Sequence, residues 1–117
     1  MRQGLTVLAG AALLAAAASA EASPFERQTT GELQAICASP AELDQHFCIG
    51  FILGAGQLYA EMLRIEAIEP LACPEPEPTL TVLRDTFVGW AGAHPEEADT
   101  RAIDGMMQAA AETWPCN

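Results

Sequence analysis

A chain of 117 residues has room for one domain, and half of it is apolar, so a packed core is within reach. Five arginines and no lysine stand against sixteen carboxylates, giving a formal net charge of −11. Such a surface repels phosphate backbones and anionic lipid. This argues against nucleic-acid and membrane-surface binding and leaves a basic partner, or plain solubility, as its use.

The chain opens with an address. Arg2 supplies a positive start, residues 5–18 are apolar apart from Thr6 and Gly10, and Ala18-Ser19-Ala20 has the small-x-small form that signal peptidase accepts. The reading is a signal peptide over residues 1–20, cleaved after Ala20, which sends the mature chain to the periplasm. The competing reading, an uncleaved anchor, needs about 20 apolar residues, and the run is shorter. No cysteine follows the cleavage site, so a lipid anchor is not expected. Residues 21–28 read as a flexible lead-in and residues 29–117 as a single helical domain.

Thr29 with Glu32 three positions on is a capping box and predicts a short helix ending near Cys37, with Leu33 and Ile36 on its apolar side. Ser39-Pro40-Ala41-Glu42 predicts the start of a long helix over 39–67, because Ser39 can cap, Pro40 suits a first turn, and Glu42 can reach back. Its apolar stripe reads as Leu43, Phe47, Phe51, Gly54, Leu58 and Met62. Gly50, Gly54 and Gly56 weaken that helix, and close approach of a neighbouring backbone is the expected compensation. Pro70, Pro74, Pro76 and Pro78 then mark a stiff loop over 69–78, made acidic by Glu75 and Glu77. It is either a recognition element that loses little entropy on binding or a plain connector. Thr79 caps a third helix running to about Gly92, with Leu80, Leu83, Phe87, Trp90 and Ala91 inward. A fourth helix is predicted from Pro95-Glu96-Glu97, packing through Ala98, Ala102, Met106, Ala109 and Ala110 and stopping at Trp114-Pro115-Cys116. Met106 and Met107 read as core filler. The fold class is therefore all-α, a small four-helix bundle.

Cys37, Cys48, Cys73 and Cys116 all follow the leader, and an even count in a small exported chain implies a disulfide framework. No C-x-x-C pair suggests a metal site. Helix geometry chooses the pairing. The long helix would hold Cys48 and Cys73 apart by about 28 Å, against the roughly 7 Å between Cα atoms that a disulfide allows. That excludes Cys48–Cys73, and Cys37–Cys116 with it. An up-down helix order then favours Cys37–Cys48 and Cys73–Cys116, which together staple the bundle.

Convergent catalytic groups are not evident. His46 and His94 are the only histidines and lie far apart, and no nucleophile elbow, zinc-protease or phosphate-loop pattern occurs. Neither an enzyme nor a cofactor or metal is expected.

The cysteine-bearing segments carry a resemblance. Phe47-Cys48-Ile49-Gly50-Phe51-Ile52-Leu53-Gly54 resembles the Cys-x-Gly-Tyr-Ile-x-Gly segment of the Rap/Tai-type immunity proteins, with Phe51 in place of tyrosine. Cys73-Pro74, the His94-Pro95-Glu96 turn, and an alanine-rich helix ending in Trp114-Pro115-Cys116 follow that family's order, with Trp114 in place of phenylalanine. The likeness covers residues 33–116. It implies a periplasmic, all-helical and often homodimeric protein that binds and blocks a peptidoglycan-cleaving amidase delivered by type VI secretion. Within this chain, exposure and charge single out the loop 69–78 and the turn near His94 as contacts, with Glu75, Glu77, His94 and Glu96 as the partner-binding residues. The alternative is a periplasmic helical protein without an effector, either structural or similar to acid-stress chaperones.

Overall fold

The computed structural model describes residues 28–117 and, before them, only Gly4 and Gly10. The rest of the predicted signal peptide and lead-in, apart from Gln28, lies outside the described residues. Among the described residues four α-helices are present and no strand: α1 (Thr30–Ala38), α2 (Glu42–Arg64), α3 (Leu80–Ala93) and α4 (Ala102–Thr113).

The capping box of α1 is formed. The Thr29 hydroxyl accepts from Glu32 N at 3.2 Å, and Thr29 N donates to the Glu32 carboxylate at 3.0 Å. The next free donors of that first turn are satisfied from across the bundle. Thr30 N donates to Thr100 O at 2.8 Å, and Gly31 N donates to Ala98 O at 2.9 Å. The helix start and the segment before α4 are thus stitched together, and Thr30 is 1% exposed.

The start of α2 differs from the sequence expectation. Ala41, without a side-chain cap, occupies the cap position, and Pro40 lies outside the helix. Ser39 Oγ accepts from Ala41 N at 3.2 Å, an isolated turn that ends before the helix begins. Gln45 secures the corner instead, its amide donating to the Ser39 and Cys37 carbonyls. At the other end Glu66 adopts φ 55°, and its N–H and that of Ala67 bond Leu63 O and Met62 O. This Schellman closure ends α2 at Arg64, short of the expected 67.

The two disulfides pair Cys37 with Cys48 and Cys73 with Cys116, at Cα separations of 5.1 and 5.0 Å, as helix geometry required. The first of them decides the rotation of α2. With Cys48 drawn to α1 and fully buried, the inward residues are those three, four or more positions away on its side, Ile52 above all. Leu43, Phe47 and Leu58 of the predicted stripe therefore point outward, at 82%, 48% and 62% exposure, and only Phe51 and Met62 of it are half-buried. The expected close approach to Gly50, Gly54 and Gly56 is also absent: a Cβ at any of them meets nothing within 4 Å.

α3 begins at its predicted cap, with Val82 N donating to Thr79 Oγ1 at 3.2 Å. The residues Pro95–Glu97 form a separate 3-10 turn, and α4 starts later than predicted, at Ala102. Pro95 permits the turn but Thr100 ends it, its hydroxyl donating to Glu97 O at 2.7 Å and its N–H engaging the same carbonyl. Leu33, Phe87, Trp90, Ala91, Ala102 and Ala109 fill the core around the Cys37–Cys48 bridge.

Close approach does occur at Gly105. A Cβ there would lie 2.6 Å from Thr30 Cγ2. Thr30 cannot swing away, because its hydroxyl is held by Thr100 Oγ1 at 2.8 Å and Arg101 O at 3.1 Å. Gly105→Ala is expected to cost about 1–3 kcal/mol in urea unfolding, as overpacking does. Gly89→Ala, where a Cβ meets nothing within 4 Å, should instead gain up to about 1 kcal/mol of helix propensity.

Candidate functional site

The prolines of residues 69–78 keep this stretch out of helix, and four ties hold it to the bundle. Cys73 is bonded to Cys116, Cys73 N donates to Trp114 O at 2.8 Å, and the Tyr59 hydroxyl accepts from Leu71 N at 2.8 Å and from Ala72 N at 3.4 Å. The Glu75–Pro76 peptide bond is cis. Behind the loop lies an apolar groove of about 470 Å³. Pro74, Glu77 and Pro78 form its loop wall, Tyr59 and Leu63 its α2 wall, and Met106, Met107 and Trp114 its α4 side. The two methionines are half-buried groove lining and not core filler alone.

The loop shares the acidic character of the whole surface. Each described arginine has a carboxylate neighbour: Arg64 with Glu61, Arg84 with Asp85 at 3.0 Å, and Arg101 with Asp104 at 2.8 Å. The Arg64 guanidinium holds the Glu61 carboxyl below its usual range, and Glu61 holds Arg64 above its own. That pair sits fully in water. Its small stabilisation is present above the ordinary carboxylate range and fades as pH falls through the lowered Glu61 value. Glu75 and Glu77 are exposed and make no ion pair with any described residue.

His94 terminates α3. Its ring stacks on Trp90 with centroids 4.5 Å apart, Nδ1 lies 2.7 Å from Trp90 O, and Nε2 lies 3.8 Å from the Glu112 carboxylate. Trp90 Nε1 donates to that same carboxylate at 2.7 Å. Half-buried His94 thus helps join α3 to α4, while Glu96 stands exposed on the 3-10 turn. Glu75 and Glu77 precede α3 and His94 and Glu96 follow it, so the helix separates the two pairs by about 20 Å. No hydrogen bond or ion pair among the described residues links them.

Sequence reasoning missed three features here: the groove, Tyr59 as the anchor of the loop, and the Trp90–His94–Glu112 cluster. Only the last had a sequence signal, the i, i+4 spacing of Trp90 and His94 on one helix face.

No group of three or more histidines, cysteines or carboxylates among the described residues is placed to hold a metal ion, and no helix among them is long and apolar enough to cross a membrane. A compact helical scaffold carrying a tethered acidic loop in front of an apolar groove is the form of a protein-binding module. The chain belongs to the family of Rap1a immunity proteins, whose family model matches residues 29–116. No curated protein and no solved structure matches it. Membership points to immunity against secreted effectors, with an effector protein as partner, and together with the disulfides it points to export.

Proposed function

We propose that the protein acts in the periplasm, where it binds a peptidoglycan amidase delivered by type VI secretion and blocks its cleft. Family membership supports a role in immunity through protein binding. The amidase and its delivery route rest on the likeness of the cysteine-bearing motifs. The observation that carries the reading is the loop 69–78, where Glu75 and Glu77 are exposed and without an ion pair on a segment held by a disulfide and three hydrogen bonds to its backbone. A pre-ordered loop gives up little conformational entropy on binding. Its carboxylates meet basic groups at the rim of the enzyme's cleft, and the loop fills the entrance that substrate needs. His94 and Glu96 form the far edge of the contact. The span of about 20 Å along α3 fits a standard interface of roughly 800 Å² per partner.

The test is the double variant Glu75→Gln/Glu77→Gln. Loss of two rim charges is expected to weaken amidase binding about 10-fold, mostly through slower association, and to flatten its dependence on salt. Glu42→Gln, an exposed carboxylate at the start of α2, is the control and should bind as the parent does. Unchanged association by the double variant removes the loop from the interface.

A further inference from the structure

The groove behind the loop 69–78 follows from where this sequence puts small side chains. α2 and α4 both pack on α3, and Gly56 and Ala60 on the first and Ala110 on the second leave a space of about 470 Å³ between them. Met106, Met107 and Trp114 line it with apolar surface. Glu77, on the loop wall, is the only charged side chain among the lining residues, and it is exposed with no ion pair to any described residue.

We propose that this groove receives one large apolar side chain of the effector, from a segment in which a lysine or arginine lies beside that side chain. The inference rests on the immunity reading for the identity of the partner and adds the chemistry that the partner must offer.

Charge selects the occupant. An apolar chain with an anionic head, such as a fatty acid or an acidic phospholipid, would bring its negative group against Glu77 and against a surface of net charge −11. A cation beside the apolar group instead meets Glu77 at the mouth of the groove. Glu77 gives up no ion pair with a described residue to receive it.

Size and form select a side chain on a protein segment. The volume lies in the range of sites that hold a ligand of drug size, about 300–1,000 Å³, so an aromatic or branched side chain enters together with the residue beside it. Met106 and Met107 adapt to the shape of what enters, and Trp114 offers aromatic surface. The Cys73–Cys116 bridge and the Tyr59 hydroxyl fix the loop wall, so the groove is formed before the partner arrives and little order is lost on binding. Loop and groove then act together. The loop enters the effector's cleft while a side chain from the rim of that cleft enters the groove. One anchor in a pre-formed apolar pocket is the usual form of an interface hot spot.

Gly56 gives a way to close the groove without unsettling the fold. It lines the groove, and a Cβ there meets nothing within 4 Å, so Gly56→Phe places a ring in the space and raises helix propensity. Gly89→Phe, on α3, equally open and outside the groove lining, is the control. Circular dichroism should show that both variants keep the fold.

Two measurements on the oxidised protein test the proposal. The first adds a synthetic peptide, acetyl-Gly-Arg-Phe-Arg-Gly-amide, or its counterpart with glutamate in place of arginine, and follows the methionine methyl signals by NMR. The Met106 and Met107 signals are expected to shift, at about 10-fold lower concentration of the arginine peptide than of the glutamate peptide, while that of Met62, outside the groove lining, stays in place. Gly56→Phe should abolish the shifts. The second measures binding to a type VI amidase that the parent inhibits. Gly56→Phe is expected to weaken it about 30-fold or more, as loss of a central anchor does, and Gly89→Phe to leave it as in the parent. Absent shifts at Met106 and Met107, or an equal response to the two peptides, overturns the proposal. Amidase binding by Gly56→Phe equal to that of the parent also overturns it and leaves the immunity reading standing. No amidase bound by the parent overturns the immunity reading, and with it the effector as the source of the side chain, while the peptide measurement still decides what the groove accepts.

Discussion

Replacing Cys73 and Cys116 together with serine is expected to lower stability by about 4 kcal/mol, the chain-entropy value for a loop of this length. The two residues are separated by 43 positions, against 11 for Cys37 and Cys48, so this bridge removes more freedom from the unfolded chain. For a domain of this size the loss corresponds to a fall in Tm of roughly 15–30 °C. The same variant loosens the loop 69–78. Three hydrogen bonds would remain, from Cys73 N to Trp114 O and from Leu71 N and Ala72 N to Tyr59 Oη, and the one from Leu71 is open to water. Affinity for the proposed amidase partner should therefore fall together with stability, because ordering of the loop then opposes binding. Thermal unfolding followed by circular dichroism measures the first effect. An unchanged Tm would show that the bridge does not restrain the fold. Mild reduction should also open Cys73–Cys116 before Cys37–Cys48, since the first pair is exposed and the second is at most 3% exposed.

Phe87→Ala is expected to cost about 3–5 kcal/mol, the range for removing a buried aromatic ring. Phe87 is 1% exposed, sits in the core cluster with Leu33, Ile52 and Ala109, and borders the apolar groove. Its removal leaves a void that rigid helices cannot close, and the groove deepens into the core. Leu43→Ala provides the contrast. Periodicity placed Leu43 on the inward stripe of α2, yet it is 82% exposed, so its truncation should change single-chain stability by no more than about 0.5 kcal/mol. Urea unfolding of both variants at low protein concentration distinguishes the observed rotation of α2 from the one periodicity predicted.

That contrast marks how far the residues alone could be read. Local signals with a single physical reading carried through: the Thr29–Glu32 box, the Thr79 cap, the proline-rich loop and the all-α class. The disulfide pairing was also legible, because helix length leaves few distances that a bridge can span. The rotation of α2 was not, since the helix has two apolar faces. The face bearing Leu43, Phe47 and Leu58 is richer in large side chains than the one bearing Cys48 and Ile52, and only the tertiary bond to Cys37 chooses between them. The helix starts at Ser39 and Pro95 went astray for a different reason. Both sequences suit a cap, and other bonds set the true boundaries: Gln45 to Ser39 at the first, and Thr100 to Glu97 O together with Thr30 to Thr100 O at the second. Of the site, the acidic loop could be read and the groove could not, because its walls come from α2, α3 and α4 at once.

In the proposed role, the folded, oxidised protein stops an effector amidase by occupying its cleft. The most direct measurement is release of peptide from purified peptidoglycan by a type VI amidase as this protein is titrated in. The expected result is stoichiometric loss of hydrolysis, restored in part when Glu75→Gln/Glu77→Gln replaces the parent. Full hydrolysis at saturating protein by every such amidase, with suppression of client aggregation at low pH instead, would contradict immunity and favour a chaperone.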